Sequence, residues 1–299
     1  IRRQRQMCIR DRYSDTDNYL QLLADEFDGA CSIGIDKNFP ARFLIPLMNL
    51  VDECHFELGS ECVDRVRMIK DEKEQQLMIE ASKINDLVVD EVINICAKGN
   101  LTEEEVSKQL EGIYQKHGCA GNSFEPIVAY GKNGADNHHS GDDSRLKAGD
   151  SIVIDIGGLY KGYCSDMTRT VFYKEVSPKQ KTVYELVLKA QKAAEAMIKP
   201  GVRLCDIDKC ARDIIAEGGY TVEFNHRLGH FIGRDVHEWC DVSQNFDLEV
   251  QEGMTFSIEP GVYLQGEFGV RIEDLILVTK DGCKVLNSYP KDLRIIGND

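Results

Sequence analysis

The chain has 299 residues, with 51 acidic against 36 basic side chains and a formal net charge of −15 at pH 7. That length suffices for one large core or two domains, and the acidic balance argues against a nucleic-acid partner, whose footprint shows as basic stripes. No apolar run of 18 residues is present, so no spanning helix and no membrane partner is expected.

Residues 1–12 hold five arginines, no initiator methionine and no apolar core of a secretory signal. They resemble translated sequencing-adapter DNA and are read as a non-native tail, with the natural N-terminus expected to be missing. Residues 13–65 mix short apolar runs with Asp and Gly. Strands are expected at 30–35 and 54–58, and a short helix from Pro40 that Pro46 kinks or ends. About 50 residues make a thin domain, so 13–65 is read as the remnant of a truncated α/β N-terminal domain. A boundary follows at about 66.

Asp71 with Glu74 has the form of a capping box, and apolar residues then recur at helical spacing from Leu77 to Val92, stopping by Gly99. Thr102 with Glu105 opens a second helix, ended by Gly118 and Gly121. A strand follows within 124–130. After strands at 151–156 and 167–173, Ser177, Pro178 and Gln180 start a helix that runs to about 198. A shorter helix is expected at 206–217, then strands at 252–258 and 270–278. Helix–helix–strand–strand thus occurs twice, about 100 residues apart, which suggests duplicated halves. Two sheet halves with helices outside them form an α+β arrangement.

Four acids lie in or beside apolar runs that read as buried strands: Asp155, Asp166, Glu259 and Glu273. Period two places Asp155 opposite Ile152, Ile154 and Ile156, Glu259 opposite Met254, Phe256 and Ile258, and Arg271 with Glu273 on one face. Buried carboxylates need compensation, and two divalent cations would balance four of them, with the glycine-flanked His230 as a neutral ligand. Such oxygen-rich ligation with one imidazole favours Mn²⁺, Mg²⁺, Co²⁺ or Fe²⁺ over structural zinc. Two adjacent ions acidify water and polarise carbonyls, which points to metal-assisted hydrolysis of a bond the residues themselves do not specify.

These motifs, Ile-Val-Ile-Asp155-Ile-Gly-Gly, Cys-Ser-Asp166-Met-Thr-Arg, Gly-His230-Phe-Ile-Gly, Ile-Glu259-Pro-Gly and Val-Arg-Ile-Glu273-Asp, resemble those of the proline-specific "pita-bread" metallopeptidases, Xaa-Pro aminopeptidase and Xaa-Pro dipeptidase (prolidase). The separations of 11 residues between the aspartates and 14 between the glutamates match that family. The resemblance covers about residues 65–299. It implies a pita-bread fold with pseudo-twofold halves over 66–299 and hydrolysis of the bond between an N-terminal residue and proline. Two Mn²⁺ ions, or Co²⁺, Zn²⁺ or Fe²⁺, are implied, with Asp155 on one ion, Asp166 and Glu273 bridging, and His230 and Glu259 on the other. Glu259 is also implied as the proton acceptor, His237 as a donor to the carbonyl or developing gem-diolate, and His138 as a contact to the scissile region or a carrier of the proton to the proline nitrogen. His226 and Arg271 would orient the proline side. The expected partners are short peptides with proline second, and a homodimer when full length.

Other readings are a methionine aminopeptidase-like peptidase and a non-catalytic pita-bread protein-binding module; the intact ligand set disfavours the latter. His55 and His117 are read as structural, and Trp239 as packing near the pocket. One departure stands out: the family's usual Gly-His-Gly is Gly-His-Phe here, and Phe231 is expected to narrow the pocket or alter the approach of the strand while leaving the ligand in place. The eleven cysteines are dispersed, odd in number and free of Cys-x-x-Cys spacing. Buried thiols in a reducing, cytoplasmic compartment are therefore expected.

Overall fold

The computed structural model describes residues 14–298 apart from 28, 30, 31, 52 and 53. The expected non-native tail at 1–12 and the first two residues of the strand expected at 30–35 lie outside the described residues. The chain divides into two compact units, 1–65 and 66–299.

In the first unit, α1 (Tyr19–Asp25) is capped by the Asn18 side chain, which accepts from the Gln21 amide. β1 (Ser32–Ile35) pairs in parallel with β2 (His55–Leu58), a pairing that needs a crossover. The crossover contains α2 (Ala41–Leu50). Pro46 sits inside α2 and, of the two effects expected of it, does not end the helix. Beyond the proline, Leu47 is buried, and that tertiary contact outweighs the local cost of the missing N–H. α3 (Ser60–Met68) follows and continues past residue 65 into the second unit.

In the second unit, three helices begin where the caps predicted them. Asp71 accepts from the Lys73 and Glu74 amides at the start of α4 (Glu72–Ala97), and Glu74 accepts from the Asp71 amide. Thr102 with Glu105 does the same for α5 (Glu103–Lys116), as does Ser177 with Gln180 for α6 (Pro178–Met197). Each cap satisfies amides that the helix start leaves unpaired, worth about 1 kcal/mol. α7 (Leu204–Glu217) completes the helices.

Helices α4 and α5 cover a four-stranded sheet of β3 (Ile127–Tyr130), β4 (Ser151–Ile156), β7 (Met167–Tyr173) and β15 (Ile295–Ile296), ordered β15-β7-β4-β3. Their shared core contains Val88, Val92 and Leu110 from the helices and Ile152, Ile154 and Ile156 from β4. A small hairpin, β5 (Leu159–Tyr160) and β6 (Tyr163–Cys164), joins β4 to β7. Helices α6 and α7 pack in a second core with a five-stranded antiparallel sheet. Its strands are β8 (Gly229–Phe231), β9 (Glu238–Val242), β10 (Thr255–Ile258), β13 (Asp274–Val278) and β14 (Cys283–Val285). Two helices over one sheet therefore occur twice. Among the described residues, no helix is long and apolar enough to cross a membrane.

One expected strand is two. The run 270–278 divides into β12 (Phe268–Arg271), which pairs with β11 (Gly261–Leu264), and β13, which pairs with β10. The breaks lie opposite each other, since Ile258 pairs with Asp274 and Gly261 with Arg271. Glu259 and Glu273 occupy these two breaks rather than regular strand positions. A continuous apolar run hides such a break, because the residues on both sides are buried in either case.

Candidate metal centre

The four acids reach one place from three chain segments. Asp155 is the fifth residue of β4 and lies opposite Thr168 of β7, while Asp166 immediately precedes β7. Glu259 and Glu273 come from the paired breaks, and His230 from the middle of β8. One ligand atom each of Asp166, His230 and Glu273 lie within 4.8 Å of one another. The His230 Nε2 is 3.5 Å from Asp166 Oδ2 and 3.5 Å from Glu259 Oε1. Its Nδ1 donates to the Phe231 carbonyl at 3.2 Å, which keeps the proton there and turns the Nε2 lone pair toward the carboxylates.

Surrounding side chains hold the acids in place. Thr168 Oγ1 donates to Glu273 Oε2 at 2.8 Å and accepts from Arg271 Nε at 3.0 Å. The Arg271 Nη2 donates to Asp155 Oδ2 at 2.5 Å. Ser257 Oγ donates to Glu259 Oε1 at 3.2 Å and accepts from the His230 amide. Sequence reading missed Thr168 and Ser257, since common hydroxyl residues in strands carry no signal until the acids beside them are located.

Even so, Asp155 Oδ1, Asp166 Oδ1 and Glu273 Oε1 are buried with no hydrogen-bond partner. Native chains rarely leave such atoms unpaired, and an unpaired buried carboxylate oxygen is costly. Burial, reinforced by Asp155, pushes the Asp166 carboxyl well above the usual carboxylate range. Burial and then Asp166 do the same to Glu273. Burial also raises Glu259 to about 7. A concentration of negative charge with oxygens directed at nothing else is what divalent cations neutralise, so the donor set fits a dinuclear centre.

All nine candidate residues line one cavity of about 810 Å³. His237 stands over the acids, its ring centroid 4.4 Å from that of His230 and nearly perpendicular to it. Burial lowers its pKa to about 4, so it is neutral at pH 7. His226 is also neutral, lowered to about 3 by burial and then by Arg271. Its Nδ1 donates to the Arg227 carbonyl, and its Nε2 lies 2.9 Å from the Tyr263 hydroxyl. Arg271 Nη1 donates to the same hydroxyl at 2.8 Å. Tyr263, also unforeseen, thus joins the two substrate-side candidates. His138 is exposed on the loop before β4, whereas its neighbour His139 is bonded to the buried Glu103 at 2.6 Å.

Of the two effects expected of Phe231, narrowing of this cavity does not hold, whereas the β8–β9 register does shift between His230 and Phe231. Phe231 is fully buried, absent from the cavity lining and packed on Phe256 at 5.3 Å between centroids. Alternation along β8 turns His230 to the cavity and Phe231 to the core. Trp239 packs on Phe246, and His117 is bonded to Glu91.

A second group that could hold a metal is Glu103, His139 and Asp142. Its carboxylates are occupied: Glu103 accepts from the Tyr130 amide, Asn133, His139 and the Asp142 amide. Asn133 Nδ2 also approaches Asp142 at 3.3 Å, placing a donor among the acids. Hydrogen bonding alone accounts for this cluster, which ties down the loop carrying His138.

Comparison with known proteins gives a consistent picture. The model for metallopeptidase family M24 matches residues 76–280. The chain is 45% identical over 241 residues to a putative dipeptidase of Bacillus subtilis, covering 81% of this chain and 66% of that protein. It is 38% identical over 283 residues to the Xaa-Pro dipeptidase of Pyrococcus horikoshii, covering 95% and 79% of the two chains. The chain thus spans slightly under two thirds of the Bacillus relative. The prolidase structure from Pyrococcus horikoshii superposes with a TM-score of 0.89 at 38% identity, covering 95% of this chain and 80% of that one. An X-Pro aminopeptidase structure from Thermotoga maritima gives 0.83 at 32% identity, with 95% and 82% covered.

Proposed function

Because the chain belongs to metallopeptidase family M24, we propose that it uses two divalent cations, Mn²⁺ foremost, to hydrolyse the bond between an N-terminal residue and proline. Residues 66–299 have the α+β pita-bread fold of that family, preceded by an α/β unit. The observation that carries the reading is the three unpartnered buried carboxylate oxygens of Asp155, Asp166 and Glu273, whose residues line one cavity with His230.

Asp155, Asp166, His230, Glu259 and Glu273 would hold the cations. When bound, the pair supplies Lewis acidity, acidifying water and polarising a carbonyl. His237 is neutral, faces the same space and donates its N–H where negative charge develops on the scissile carbonyl oxygen. The Glu259 carboxylate is the acceptor for the proton of the attacking water. His138, at the exposed side, carries a proton toward the proline nitrogen. His226 and Arg271, joined through Tyr263, form the wall against which the proline and its carboxylate lie.

The reading extends to a cytoplasmic homodimer acting on short peptides. The free thiols of Cys96, Cys119, Cys164 and Cys240 support a reducing compartment, and the family resemblance supports the dimer.

The test is turnover by Mn²⁺-loaded protein of Ala-Pro, of the same dipeptide with a C-terminal extension, and of Met-Ala. Cleavage before proline is expected, and Asp166→Asn should abolish metal-dependent turnover while reducing bound metal. Dipeptide-only cleavage assigns a dipeptidase, and cleavage of both proline substrates an aminopeptidase. Turnover of Met-Ala alone, or full activity in Asp166→Asn, would overturn the reading.

A further inference from the structure

We propose that the buried ion pair between Lys70 and Glu238 is a positioning device that fixes the direction of His237. The inference rests on the role given to His237 above. Lys70 Nζ and Glu238 Oε2 are 2.9 Å apart, with side chains 2% and 3% exposed. The other carboxylate oxygen accepts from Arg67 Nη2 at 2.5 Å and from the Arg234 amide at 3.0 Å. The lysine is itself fixed: its amide donates to the Gly253 carbonyl at 2.8 Å, its carbonyl accepts from Gln75, and Ile69 bridges to Met254.

Glu238 opens β9 and lies opposite Phe231 in the β8–β9 register. His237 precedes it at the end of the loop 232–237. His237 is joined to Glu238 by a single planar peptide, so fixing the Glu238 backbone limits the directions open to the His237 side chain. Glu238 points to Lys70 and is absent from the cavity lining, while His237 lines the cavity. Anchoring one therefore directs the other. The loop closes tightly on the pair: a Cβ at Gly233 would meet Glu238 Oε1 at 2.8 Å and Lys70 Cε at 2.9 Å. The Cys164 amide donates to the Gly233 carbonyl at 2.7 Å, holding the loop from the far side.

A buried ion pair is a weak source of stability, and matched apolar residues often serve as well, whereas removing Glu238 strands the buried Lys70 charge and removing Lys70 leaves Glu238 with Arg67 as its cation. That difference separates positioning from support. Lys70→Met and Glu238→Leu should each lower Tm, and the double variant should recover most of it. All three should lose about 10- to 100-fold in kcat with KM much less affected, since small misplacements of catalytic groups cost that much. The direct readout is the His237 signal in protein labelled with ¹³C-histidine, identified by its loss in His237→Ala. It should be single and sharp in the parent and broadened or doubled in the double variant. Recovery of kcat together with Tm, or an unchanged His237 signal, would overturn the proposal. If the parent protein does not cleave Xaa-Pro bonds, the functional reading fails on its own, and the His237 signal alone decides the positioning role.

Discussion

His230 and Phe231 are neighbours with opposite environments, one among carboxylates and the other in an apolar core, because they share a strand. The aromatic ring where the family usually has glycine is therefore a packing residue. Phe231→Leu should lower stability by roughly 1 kcal/mol, read by urea unfolding. The ratio of rates on peptides with small and bulky first residues should stay as in the parent; a changed ratio would place the ring in the pocket after all. Arg271 shows the reverse. It reads as a substrate-side cation in the sequence, yet three of its nitrogens are committed to Thr168, Tyr263 and Asp155.

At the scale of elements, α6 is tied to the sheet beneath it by a buried polar cluster. Glu195 bonds to Gln191 and Lys291, and Lys291 bonds to Asp274 at the start of β13. Burial, then Asp274, raises the Glu195 carboxyl to about 7 against the partial relief from Lys291. The folded protein thus keeps a proton that the unfolded chain releases near its ordinary value of 4.5. This contribution to stability is complete below about 4.5 and is lost as pH rises through about 7. Glu195→Gln should therefore gain stability relative to the parent between those limits, by roughly 3 kcal/mol at most. Parallel denaturation of the two proteins at pH 4.5, 6 and 8 measures it, and a difference independent of pH would contradict the assignment.

At the scale of the whole molecule, the ligand set exists only in the folded chain. Two helices separate Asp155 and Asp166 from His230, and His230 and the two glutamates come from successive strands and breaks after them. Cations that bind this set and not the unfolded chain stabilise the fold by about 2.7 kcal/mol at a hundred times Kd. Chelation should therefore lower Tm by roughly 5–10 °C for a unit of this size, and Mn²⁺ should restore it. An identical Tm with and without metal would deny the cations any hold on the folded state.

The sequence by itself determined the local features. Capping boxes at Asp71, Thr102 and Ser177, the acids in their apolar runs and the glycine-flanked His230 are written in neighbouring residues, because caps and alternation are short-range effects. Residue spacing also held the repeated helix–helix–strand–strand order. Only the tertiary structure decided that the run 270–278 breaks at Glu273, that Pro46 stays within its helix, that Phe231 turns to the core, and that Tyr263, Thr168 and Lys70 stand behind the site. Each depends on which distant segment lies opposite, and a residue's partner across a sheet or a buried ion pair leaves no periodic trace in its own stretch of chain.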